Sequence, residues 1–158
     1  LPAALPISIA EFWNDKAQTE HAFLITLSIN KQEAAANTPL SWALQGQTQN
    51  PSTLLWDDVW TETSDEPVPI HNWFTLQVVM VEGDAEHGQV LVKKDETILF
   101  DVHNWTHHPE DATPGGFDNL NLMKLYTAGE VLSMLPEGSA FVILWDDFSL
   151  ATNEVSIP

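Results

Sequence analysis

The chain has 158 residues, enough for one domain with a substantial core, and 44% of them are hydrophobic, including seven Trp and seven Phe. It carries 23 acidic residues against five Lys and no Arg, a formal net charge of −18. Such a field, without the guanidinium fork that grips phosphates and carboxylates, speaks against nucleic acid, anionic membranes and polyanionic ligands, and the lack of Cys removes disulfide and thiol chemistry.

In chain order, the sequence opens Leu-Pro-Ala-Ala-Leu-Pro without Met. That is expected of a mature form or of a piece of a larger secreted or cell-surface protein whose targeting signal has gone. Residues 21–30 alternate, with Phe23, Ile25, Leu27 and Ile29 on one face and Ala22, Leu24, Thr26 and Ser28 on the other, the period-two signature of a half-buried strand. Residues 32–37 include three consecutive Ala and suit a local helical turn. Leu40, Trp42 and Leu44 stay in phase over a second short strand. Residues 54–60, Leu-Leu-Trp-Asp-Asp-Val-Trp, set Trp56 and Trp60 on one face of either a strand or a helical turn. They suit core packing or, if exposed, a sugar platform.

A run at 73–81 is apolar on both faces and suits an inner strand. The turn-rich segment 82–88 leads into a strand at 89–93, and Lys94-Asp-Glu96 turns into another at 97–103, making a β-meander. Residues 105–118 hold two Pro and two adjacent Gly and predict a long loop. Further strands are expected at 120–127 and 140–150, a helical turn at 129–135 and an edge strand at 154–157. No apolar run approaches the ~18 residues a membrane span needs, so no membrane insertion is expected. Short strands without βαβ crossovers specify an all-β antiparallel β-sandwich or barrel over residues 1–158.

Several segments carry a family resemblance. Gly88-Gln-Val-Leu-Val-Lys93, Ile98-Leu-Phe-Asp-Val102, Met123-Lys-Leu-Tyr-Thr-Ala-Gly129 and Trp145-Asp-Asp-Phe148 come in an order that resembles the concanavalin-like jelly rolls. These include laminin-G-like domains and extracellular polysaccharide lyases of the alginate-lyase and glucuronan-lyase type. Glu11-Phe-Trp-Asn14 is similar to an early strand of the same sheets. The resemblance implies a single jelly-roll domain, with N-terminal strands of the family lying upstream of this chain. The departures are specific: Thr127 stands where those lyases have Lys, Val131 where they have a second Tyr, and no Arg is available for a uronate carboxylate. They point away from acidic substrates and leave the fold intact.

Polar residues on strand faces supply the candidate site. Asp101 and His103 lie opposite Ile98, Phe100 and Val102; Gln77 lies opposite Phe74, Leu76, Val78 and Met80; Lys124 and Tyr126 share a face, as do Trp145 and Asp147. With Trp105 from the long loop, the set Gln77, Asp101, His103, Trp105, Lys124, Tyr126 and Trp145 offers rings and polar groups suited to a glycan, if one concave sheet gathers them. The alternative is the solvated outside of a sandwich, with Trp105 anchoring its loop. As a lyase, the same groove would use Tyr126 and His103 for proton transfer and Lys124 against the uronate. A glycosidase would need a carboxylate pair among Glu11, Asp101 and Asp147.

His103, His107, His108, Glu110 and Asp111 are the densest group of possible metal ligands, although Pro109 opposes a helical arrangement of them. For a structural Ca²⁺, the resemblance favours Asp146; Asp147, Asp57-Asp58 and the turn at 82–84 are further oxygen donors. Asn104-Trp-Thr106 forms an N-glycosylation sequon. The leading expectation is a recognition module for a neutral or weakly charged polysaccharide, within a larger extracellular protein. The rival readings are a polysaccharide lyase acting by β-elimination and a Ca²⁺-dependent laminin-G-like adhesion domain.

Overall fold

The computed structural model describes residues 7–14, 22–31, 39–50, 52–112, 115–122 and 142–152. They form eight strands: β1 (Ile7–Trp13), β2 (Phe23–Lys31), β3 (Leu40–Gln49), β4 (Trp56–Ser64), β5 (Leu76–Val81), β6 (Gln89–Lys94), β7 (Thr97–His103) and β8 (Asn119–Asn121). No helix occurs among the described residues. A five-stranded sheet in the order β4-β3-β2-β1-β8 packs against a three-stranded meander, β5-β6-β7, with every neighbouring pair antiparallel. The chain is a β-sandwich.

Alternation makes the core. Phe23, Ile25, Leu27 and Ile29 of β2 point inward beside Phe12, Trp42 and Leu44, and meet Val90, Val92, Phe100 and Val102 from the other sheet. Each such side chain, fully buried, contributes about 1.5–3 kcal/mol. Trp60 also belongs to this core, and its Nε1 donates to the carbonyl of Trp105 at 2.8 Å, tying β4 to the loop after β7.

Three bulges break the strict alternation, and each re-aims a side chain. Between Ser8 and Ala10 the bulge sends both Ile9 and Ala10 into the core. Past Gly46 it lets Trp60 face inward while Asp58 and Trp56 pair with Gln47 and Gln49. The third corrects the sequence pattern: Val92 pairs with Phe100 and Lys93 with Ile98, so Leu99 joins the core and Ile98 is turned out, 55% exposed.

The strand expected at 73–81 begins only at Leu76, and Phe74 packs edge-on against Trp42 with centroids 5.9 Å apart while Trp73 is exposed. The second strand runs past Leu44 to Gln49; of residues 54–60 the strand takes 56–60, and its bulge places Trp60 in the core and Trp56 on the outer face rather than on one face together. The strand expected at 140–150 is corrected: residues 142–150 pair with no ladder, although Ile143 and Trp145 still turn toward the core and Val142 and Leu144 away. Of the strand expected at 120–127 only β8 is described. The turns expected at 32–37 and 129–135 and the edge strand at 154–157 lie outside the described residues.

At one end of the meander the loops before β6 and after β7 interlock. The Thr106 hydroxyl accepts from the Gly83 N–H at 2.8 Å and donates to the Val81 carbonyl at 3.1 Å, while the Thr106 N–H donates to the Gly83 carbonyl. A Cβ on Gly88 would meet the Asn104 carbonyl oxygen at 2.2 Å, so no larger residue fits there without moving backbone.

Candidate polar face of the five-stranded sheet

The register of the large sheet assigns its outward side chains to rows that run across the strands. One row is Thr63, Ala43, Ser28 and Ser8. The next is polar from edge to edge: Thr61, Gln45, Thr26, Glu11 and Asn121. Then come Asp58, Gln47, Leu24, Trp13 and Asn119, with Trp56 and Gln49 beyond. Although these residues face away from the core, the centre of the face is buried. Glu11 is 7% exposed, Thr26 6% and Ser28 0%, whereas Thr61 and Asp58 at the β4 edge are open.

Hydroxyls, amides and the carboxylates of Glu11 and Asp58, spaced by the ~4.8 Å between strands, form a lattice of donors and acceptors. Gln47 Nε2 donates to Asp58 Oδ1 at 2.7 Å, and Gln45 Nε2 reaches Thr61 Oγ1 at 3.5 Å, so the β3 amides are already oriented. Trp13 and Trp56 reach toward each other over this surface and meet edge to face, centroids 6.5 Å apart. Flat rings beside a polar row provide what a ligand with hydroxyl edges and C–H faces needs. Asn14 closes the end of the site: its Oδ1 accepts the buried Phe23 N–H at 2.8 Å and fixes β1 against β2.

The residues expected from sequence are distributed differently. Gln77, Asp101 and His103 do share a face, the outside of the three-stranded sheet, together with Gln89 and Lys93. There Gln89 Nε2 donates to Asp101 Oδ1 at 2.6 Å, and His103 Nε2 lies 3.4 Å from the same oxygen, all of them exposed or half-buried. Trp105 and Trp145 are not on that face; both pack, partly buried, against the core. Trp105 is a loop anchor, its carbonyl held by Trp60 and its ring edge-on to His107. Lys124 and Tyr126 lie outside the described residues.

The carboxylate candidates do not pair. Glu11 and Asp101 stand on opposite outer faces of the sandwich, and Asp147 sits in the unpaired segment after residue 142 at φ 51°. Asp58 shares the face of Glu11 but is three strands away, ~14 Å by strand spacing, well beyond the ~5–9.5 Å of glycosidase pairs.

Among the described residues no three His, Asp or Glu come together in an arrangement that could hold a metal ion. His107 and His108 are buried, the former with Nδ1 against the His108 carbonyl, whereas His103 is exposed. Asp146 is exposed, and its Oδ1 accepts from the N–H of Asp147.

The strand expected over 40–44 stops short of the signal for this face. The signal lay just beyond: Gln45, Gln47 and Gln49 recur at every second position, in phase with Ala43 and Ser41. No protein-family model, curated protein or solved structure matches the chain.

Proposed function

We propose that the chain is an extracellular recognition module that binds a neutral or weakly charged polysaccharide on the polar face of the five-stranded sheet. The observation that carries this reading is the set of polar side chains open on the β3/β4 side of this face, Thr61, Gln45, Gln47 and Asp58, beside Trp56. Sugar hydroxyls both donate and accept, so they match a row of amides, hydroxyls and one carboxylate, while the rings take the C–H faces. No cation stands in any of these rows and the whole chain has no Arg, which disfavours polyuronates and β-elimination on this face.

The test is a glycan array with and without Ca²⁺, run beside an absorbance assay for unsaturated uronates. Binding of a neutral polymer without absorbance growth is the expected result. Asp58→Asn and Trp56→Ala should each weaken binding about tenfold, roughly 1.4 kcal/mol. Gln77→Ala and His103→Ala serve to separate the two faces: loss of binding in these, with Asp58→Asn unaffected, would transfer the site to the three-stranded sheet.

A further inference from the structure

The outer side of β3 and β4 carries three cross-strand pairs in succession: Gln45 opposite Thr61, Gln47 opposite Asp58 and Gln49 opposite Trp56. Thr61 and Asp58 are exposed, and the three glutamines and Trp56 are half-buried, so every member of this strip meets solvent. A bulge composes it. In unbroken register Val59 would stand opposite Gln47, and Asp57 opposite Gln49. The bulge instead lets Val59 pack against the core and turns Asp58 and Trp56 outward. Trp60 folds inward over Gly46, where any Cβ would collide with its indole. Bulges are concentrated at sheet edges and beside active sites, where they re-aim a side chain.

The direction open to a ligand follows from burial. Across the strands the accessible surface ends at β2, where Thr26 beside Gln45 is 6% exposed and Leu24 beside Gln47 is 9% exposed. Along the strands it continues from pair to pair. Successive glutamines are two residues apart, ~6.8 Å at ~3.4 Å per residue, and Gln45 to Gln49 spans ~14 Å. That length exceeds a single sugar ring.

The chemistry of the strip is set by how its amides are held. Gln45 Nε2 donates to Thr61 Oγ1 at 3.5 Å, Gln47 Nε2 to Asp58 Oδ1 at 2.7 Å and Gln49 Nε2 to the Leu54 carbonyl at 3.1 Å. The three amide oxygens and Asp58 Oδ2 are left to accept. Such a row asks for donors, which hydroxyls supply and ether or ester oxygens do not. No cation stands in the strip, so carboxylate or sulfate groups would meet only acceptors there.

We infer that the ligand is a linear polymer with unsubstituted hydroxyls, lying lengthwise along the β3/β4 strip and donating to Gln45, Gln47, Gln49 and Asp58, with Trp56 at one end. This rests on the polysaccharide reading above and specifies the chemistry and direction of its ligand.

The experiment titrates the full chain with mixed-linkage β-glucan, xylan and galactomannan, with their oligosaccharides of increasing length, and with O-methylated forms of the same polymers. Chitosan and alginate serve as the cationic and anionic arms. Affinity for a neutral chain should rise with length until the strip is filled, and O-methylation should weaken it at least about tenfold. Gln45→Ala should weaken the long oligosaccharides about fivefold and shorten the length at which affinity levels off. Gln45→Glu, which keeps an acceptor at that end, should retain binding. Wild-type affinity in Gln45→Ala, with Asp58→Asn and Trp56→Ala still weakened, would overturn the lengthwise assignment and leave the polysaccharide reading in place. Equal affinity for methylated and parent polymers, or preference for either charged arm, would overturn the hydroxyl chemistry. Failure of the wild type to bind any neutral polymer would sink the underlying reading itself.

Discussion

The outer faces of the two sheets both carry polar residues, yet these differ in burial. On the three-stranded sheet Gln77, Asp101 and His103 are exposed, Asp101 is met by Gln89 and His103, and nothing is lost by their being polar. On the five-stranded sheet Thr26, Ser28 and Glu11 are almost wholly withdrawn from solvent. Burying groups of this kind is unfavourable unless they are paired, and Glu11 has a partner. Polarity on an outward strand face therefore does not by itself mark a site. The two sheets are also held differently. Central strands of the large sheet have ladder partners on both sides, whereas the meander leans on the clasp of Gly83, Gly88 and Thr106 at one end.

The largest effect should come from the clasp. Gly88→Ala sets a methyl against the carbonyls of Asn104, Gly83 and Asp84, which are backbone and cannot swing aside. The expected cost is about 3 kcal/mol, the upper end of overpacking, read as a lowered denaturant midpoint at constant slope. A loss under 1 kcal/mol would mean that the meander does not depend on this contact.

Next, Ser28→Leu against Gln77→Leu compares the two faces with one side chain. Leu at the fully buried Ser28 should cost about 1–3 kcal/mol, and at exposed Gln77 no more than about 0.5 kcal/mol. Equal tolerance at the two positions would abolish the distinction drawn between the faces. Thr106→Val, which keeps shape but leaves the Gly83 N–H without its acceptor, should cost about 1–2 kcal/mol. Its deficit should fall on the meander, as faster amide exchange in β5 and β6 than in β2.

How far this was legible in the sequence follows from what sets each feature. The strand β2 and the meander were readable because their alternation is a local property: Phe23, Ile25, Leu27 and Ile29 repeat at period two, and the turn at 94–96 is written in turn residues. Ile98 and Leu99 were not, because a bulge depends on the partner strand, and only the pairing of Lys93 with Ile98 reveals that the phase has slipped. The stretch at 142–150 kept the alternation of a strand, but a strand also needs a neighbour, which no single segment specifies. The period-two glutamines of β3 were written in the sequence, but the row they belong to was not, for the same reason. Thr61, Gln45, Thr26, Glu11 and Asn121 come from five separate strands and become neighbours only through register.

The smallest expected effect is a pH dependence in the turn that leads into the clasp. Asp84 Oδ1 accepts from the His87 imidazole at 2.7 Å and from the N–H groups of Glu86 and His87. The hydrogen bond that His87 donates to Asp84, reinforced by the carboxylate charge, raises the His87 pKa above 6.5, and the same bond with the backbone donors lowers that of Asp84 below 3.8. A raised histidine contributes fully below its unfolded pKa and loses that contribution as pH rises through the folded one. A lowered carboxylate contributes above its unfolded pKa and loses it as pH falls through the folded one. The pair is therefore strongest between the two unfolded values, from about pH 4 to pH 6.5. Both side chains are open to solvent, so screening leaves little of this in the melting temperature. The titration itself is the sensitive readout: the His87 ring resonances should report a midpoint above that of an unpaired histidine, and Asp84→Asn should lower it. An unchanged midpoint in that variant would show that the imidazole is not held by Asp84 in solution, and would leave only the backbone bonds of Asp84 to shape the turn beneath Gly88.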